Sequence, residues 1–136
     1  MKIGPCLVGV CAAAAMAAPA VAQPGWEQAT PVEVVLSNFA FTPAELKLTA
    51  GQPYRLHLVN RGSAGHSFSA PAFFAASHLD PEDAAALRQG RVELRGGETR
   101  DIRLIPALGA YPVQCSHFMH AAMGMKGRIV VESPTE

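Results

Sequence analysis

The chain has 136 residues, with eleven Lys and Arg set against eleven Asp and Glu and 49% hydrophobic residues. That is the length of one domain with a real core, and neither a second domain nor an internal repeat is visible. No basic run and no interleaving of aromatic with basic residues occurs, so nothing in the sequence points to nucleic acid.

In chain order, residues 1–22 read as an export signal. Lys2 gives a short positive start, an alanine-rich apolar stretch runs from Leu7 to Ala18, and Ala20-Val21-Ala22 has the small-x-small pattern of a cleavage site. The alternative is an uncleaved membrane anchor. The stretch is marginal in length for a span, and Pro19 with the small-residue site favours cleavage. A lipid anchor at Cys11 is disfavoured because Val10 stands where such signals carry a small residue. Cleavage leaves a periplasmic domain over residues 23–136. Lys2, Cys6 and Cys11 are lost, so Cys115 is its single cysteine and ten basic residues face eleven acidic ones.

The domain reads as short strands. Val32-Glu33-Val34-Val35-Leu36 is β-branched, and Phe39 to Pro43 is a turn with aromatic packing. Glu45 to Thr49 and Tyr54 to Asn60 alternate, the second with Tyr54, Leu56 and Leu58 on one face. Arg61 to Gly65 is a turn leading into His66. Asp80-Pro81-Glu82-Asp83 has the cap, proline and acids of a helix start, and the helix ends at Gln89-Gly90. Arg91 to Leu94 and Thr99 to Ile105 flank a Gly96-Gly97 turn. Tyr111 to Gln114 leads to Cys115, and Lys126 to Glu132 is the final strand. The spacing predicts an all-β, antiparallel β-sandwich with one short helical insertion.

The chemistry gathers near the C-terminus, in Cys115-Ser116-His117-Phe118-Met119-His120-Ala121-Ala122-Met123-Gly124-Met125, with His66 roughly fifty residues upstream in Gly65-His66-Ser67-Phe68. Cys, two His and Met form the donor set of a mononuclear blue-copper site, and Cys-x4-His-x4-Met lets one loop deliver three of them. A lone cysteine in an oxidising compartment is either an inert core residue or a metal ligand. His66, His120 and Met125 beside it favour the ligand. Met123 competes with Met125 for the axial position, and Met125 is preferred because the strand start fixes it. His57 falls on the polar phase of its strand and reads as solvated, His78 as a loop residue. His117 reads as exposed or as packing behind the ligands. Ser116 and nearby backbone are expected to donate weakly to the Cys115 sulfur.

Three pieces taken together resemble the cupredoxin family, the plastocyanin-, azurin- and rusticyanin-like small blue-copper proteins. They are Gly65-His66-Ser67-Phe68 after a strand and turn, Tyr111 to Cys115 closing a strand, and Cys115-x4-His120-x4-Met125 opening the last one. The resemblance implies a Greek-key β-sandwich holding one copper ion, Cu(I) or Cu(II), on His66, Cys115, His120 and Met125. It also implies that His120 shows an edge through an apolar patch where redox partner proteins dock. Ser67 departs from the family, which often carries Asn or Asp there to pin the ligand loop. The expected function is one-electron transport by a monomer, not an enzyme. The alternative is copper trafficking or tolerance, which the extra Met119, Met123 and His117 favour.

Overall fold

The computed structural model describes residues 24–135 together with positions 4, 17 and 18. The expected cleavage site, Ala20-Val21-Ala22, lies outside the described residues, as does nearly all of the expected export signal. Among the described residues no helix is long and apolar enough to cross a membrane.

Among the described residues a single 3-10 turn, Trp26–Gln28, precedes ten strands and two short helices. The strands are β1 (Thr30–Ser37), β2 (Ala40–Thr42), β3 (Glu45–Thr49), β4 (Tyr54–Asn60), β5 (His66–Ser69), β6 (His78–Leu79), β7 (Arg91–Leu94), β8 (Thr99–Ile105), β9 (Gly109–Gln114) and β10 (Lys126–Glu132). The helices are α1 (Pro71–Ala76) and α2 (Pro81–Ala84). Two five-stranded sheets result, ordered β2-β1-β4-β8-β6 and β3-β10-β9-β5-β7. This is the expected β-sandwich.

Alternation builds the core. Val34 and Leu36 of β1, Leu56 and Leu58 of β4, and Ile102 and Leu104 of β8 point inward from one sheet. Leu46, Leu48, Phe68, Val92, Leu94, Val113, Ile129 and Val131 meet them from the other. Two facing inner surfaces of this kind close a sandwich core.

The structure corrects four expectations. The sheets are mixed, since β1 runs parallel to β4 and β10 parallel to β3. Between β1 and β4 the chain passes through β3 of the other sheet, so that β4 returns in the direction of β1. Phe39 to Pro43 is not wholly turn: Ala40–Thr42 forms β2 against β1. The insertion holds two helices. Asp80 does cap the second, accepting from the Glu82 N–H at 2.8 Å, but that helix stops at Ala84. His78 is in β6, paired with Ile105 and stacked on Trp26 with ring centroids 5.9 Å apart.

Arg103 fastens the insertion to β8. Its backbone N–H and Nε both donate to Asp83 Oδ2, at 2.8 and 2.7 Å, and Nη1 lies 3.3 Å from Asp80. Burial alone would push the Asp83 carboxyl up. The hydrogen bonds and charge of Arg103 outweigh it and hold the group below its usual range. A carboxylate whose folded pKa is depressed contributes stability that is present above about pH 4 and lost as pH falls through the folded value. Asp83→Asn is expected to lower the thermal midpoint at pH 7 by about 3–6 °C. It should also flatten the loss of stability on acidification below pH 4, checked by melts across that range. A variant with the wild-type acid slope would show that the pair contributes nothing.

Candidate metal centre

The β9–β10 hairpin frames the site. Its register pairs Gln114 with Lys126, and the ladder continues one step further, where the Cys115 N–H donates to the Met125 carbonyl at 3.1 Å. Cys115 and Met125 therefore stand opposite one another. Residues so placed project to the same side of the sheet, with Cβ atoms about 5 Å apart. Both are buried, at 1% and 0% exposure. His120 is the middle residue of the loop between them, five positions from each end. The Met125 N–H donates to the His120 carbonyl at 3.0 Å and folds that apex back over the loop ends.

His66 arrives from β5, which pairs with β7 and touches β9. The turn before it is held by Asn60, whose side chain lies on the buried phase of β4. Asn60 Nδ2 donates to the carbonyls of Ala64, Leu94 and Arg95 at 2.9, 3.1 and 3.0 Å, while Oδ1 accepts from the Gly62 N–H at 2.9 Å. One side chain of the first sheet thus ties down the end of β7 in the second and shapes the approach to His66. Gly62 passes close beneath the ring, since a Cβ there would lie 3.0 Å from His66 Nε2.

Three of the four expected residues converge on one point. The ligand atoms of His66, Cys115 and His120 all lie within 4.8 Å of one another. His66 Nδ1 is 3.2 Å from His120 Nδ1, which in turn is 3.4 Å from Cys115 Sγ. Two ring nitrogens and a sulfur aimed at one small volume form a donor set for a cation, and imidazole with thiolate suits copper. Met125 stands beside Cys115 in the register and fully buried. Met123 points outward at 58% exposure. Burial first, then the neighbouring His120 and His117, pushes the His66 pKa down, which keeps its imidazole neutral near pH 7.

Ser67 binds the two halves of the site together. Its backbone N–H lies 3.4 Å from Cys115 Sγ and its Oγ 3.9 Å away. The same Oγ accepts from the Ser116 N–H at 2.8 Å and lies 2.7 Å from Ser116 Oγ. Donation to the sulfur therefore comes from Ser67, and the Ser116 hydroxyl is engaged with Ser67 instead. The shorter residue at position 67 makes the loop-pinning contact.

Around the site the loop turns apolar groups outward, with Phe118 at 90% and Met119 at 52% exposure. His117 is half-buried. Its Nε2 lies 2.8 Å from Glu93 Oε2 and its ring centroid 5.4 Å from that of His120. His57 is paired with Asp101, Nδ1 to Oδ1 at 2.5 Å, rather than simply solvated, and both lie on the other sheet. Asn60 was not singled out by the sequence reading, although an Asn in the apolar phase of a strand is a legible signal.

A family model described as a cupredoxin-like domain matches residues 6–131. Among solved structures, auracyanin B is similar at 25% identity and a TM-score of 0.57, covering 76% of this chain and 89% of that one. A dithionite-reduced auracyanin from the photosynthetic bacterium Roseiflexus castenholzii is 23% identical at a TM-score of 0.57, over 76% and 98% of the two chains. Auracyanin A, a "blue" copper protein of the green thermophilic bacterium Chloroflexus aurantiacus, is 21% identical at 0.52, over 75% and 99%. No curated protein matches.

His66 is expected to make the metal-free protein sensitive to acid. In the unfolded chain a histidine titrates near pH 6.5, whereas the folded His66 resists protonation. Its contribution is therefore complete above about pH 6.5 and is lost as pH falls toward the depressed folded value. The denaturation midpoint of the apo protein should drop between pH 7 and pH 5, and a His66→Gln variant should show a flatter profile over that window. Equal slopes in the two proteins would mean His66 is not the acid-sensitive group.

Proposed function

The chain belongs to the cupredoxin-like family, and from that premise we propose that it is an exported, periplasmic one-electron carrier with a type 1 copper site on His66, Cys115, His120 and Met125. The observation that carries the reading is the convergence of His66, Cys115 and His120 within 4.8 Å. The blue copper named for auracyanin A supports the same class. In this reading residues 1–22 are removed on export and residues 23–136 are the working domain.

A copper ion bound there supplies a Cu(II)/Cu(I) couple. The Cys115 thiolate and Met125 thioether favour the softer Cu(I), and the His66 and His120 imidazoles serve both states. Ser67 fixes the Cys115 sulfur and the start of the loop, Asn60 fixes the approach to His66, and the hairpin register fixes Met125. Ligands held this firmly move little between oxidation states. His120, half-buried at the loop apex, offers a ring edge to the surface. Phe118, Met119 and Met123 surround that apex with apolar groups, which suits brief docking of redox partners.

One observation favours a second reading, copper trafficking or tolerance: the thioethers of Met119 and Met123 are both exposed on the loop. Loading with Cu(II) separates the two. A carrier shows an intense thiolate-to-copper visible band and a reversible couple, and a trafficking protein stays colourless and retains only Cu(I). Replacing the weak axial donor, Met125→Leu, should keep the blue colour and raise the reduction potential, while Met123→Leu leaves the potential nearly unchanged. If the two variants exchange behaviours, Met123 is the axial ligand.

A further inference from the structure

Phe39 occupies the two-residue turn, Asn38-Phe39, between β1 and β2, with φ at +60°. That left-handed conformation crowds the Cβ of an L-residue, and turns normally place Gly or Asn there. Asn38, the residue type that tolerates it, stands one position too early. The turn itself gives no reason for a phenylalanine. The ring does: its centroid lies 5.1 Å from that of His120 with the planes at 84°, an edge-on aromatic contact. Phe39 also packs against the hydrophobic core, so the contact is anchored from below. Its carbonyl lies 3.9 Å from where a Cβ on Gly124 would sit, so the same turn also meets the closing end of the ligand loop.

His120 needs such a support. Among the expected ligands it alone sits in the middle of a loop without strand pairing. Its backbone is fixed by the bonds from its own N–H to the His117 carbonyl, at 3.2 Å, and from the Met125 N–H to its carbonyl. Neither fixes the ring about the side-chain torsions; its Nδ1 faces His66 Nδ1 and Cys115 Sγ, at 3.2 and 3.4 Å, and the rest of the ring meets Phe39. We infer that Phe39 is a positioning residue that sets the orientation of the His120 imidazole and closes that flank of the copper site to small ligands. The inference rests on His120 being a copper ligand. Backbone strain retained at a residue that touches a functional group is where such a role is found.

The test uses Phe39→Gly and Phe39→Asn, which suit the left-handed turn and remove the ring, and Phe39→Tyr, which keeps it. In the Cu(II)-loaded protein, azide affinity is read from the visible band. Gly and Asn variants should bind azide about fivefold more tightly than wild type, the size of an edge-on aromatic contact, and the Tyr variant should match wild type. In the apo protein, nuclear Overhauser contacts from the His120 ring to His66 should weaken in the Gly and Asn variants and persist in Tyr. Wild-type azide affinity and unchanged ring contacts in the Gly and Asn variants would overturn the role, as would a Tyr variant that fails to restore them. Should the wild type give no thiolate-to-copper band, the carrier reading fails on its own account, and the apo ring contacts still decide what Phe39 does.

Discussion

The register of one hairpin determines most of this protein's site. Because strand side chains alternate with a period of two, slipping β10 by one residue against β9 would turn either Cys115 or Met125 to the wrong face. The observed pairing of Gln114 with Lys126 places both inward and leaves His120 at the midpoint of the loop. Close packing guards that register. A Cβ on Gly127, one residue into β10, would come within 2.7 Å of the Ala44 carbonyl, so only glycine lets the strand start at this depth. Leu46 and Leu48 of β3 then meet Ile129 and Val131 in register, and the apolar core holds the strand in place.

The opposite requirement governs the pole above that core. Asn60, His66 and Ser67 are buried polar residues, each at 1% exposure or less. Such groups destabilise a fold unless hydrogen-bonded. Asn60 and Ser67 meet the condition through backbone groups of the turn after β4, the end of β7 and the start of the loop after β9, so the bonds that offset their own burial also position these segments. His66 differs, because its Nε2 has no hydrogen-bond partner. Its contact is through Nδ1, 3.2 Å from His120 Nδ1, where a cation bound between the rings would add stability.

Most strands were legible because alternation was clean. β3, β4, β7, β8 and β10 fall where the apolar period places them, and the Cys-x4-His-x4-Met spacing anticipated the loop. What escaped the sequence depends on distant partners. Pro71-Ala72-Phe73-Phe74-Ala75-Ala76 has proline at its first position but no capping side chain before it, so α1 owes its form to burying Phe73 and Phe74 against the core. The parallel pairings follow from crossings between sheets that leave no local mark. The left-handed Phe39 runs against its own propensity while its ring packs on the core and against His120. Local preference is overruled in these places by tertiary contact.

The ligand loop joins two demands that pull apart. Its ends must be buried and exact in register, whereas its apex must reach the surface with apolar side chains around it. The hairpin resolves this by pinning only the ends: Cys115 and Met125 are buried, and Phe118, Met119 and Met123 lie open above them. The Cys115–Met125 rung of the β9–β10 ladder and the Ser67–Ser116 tie hold the two ends of the loop. On the proposed reading, a site closed in that way holds its copper and exchanges electrons through its rim. On that reading the exposed thioethers of Met119 and Met123 belong to a docking surface, since they stand outside the buried Cys115–Met125 pair.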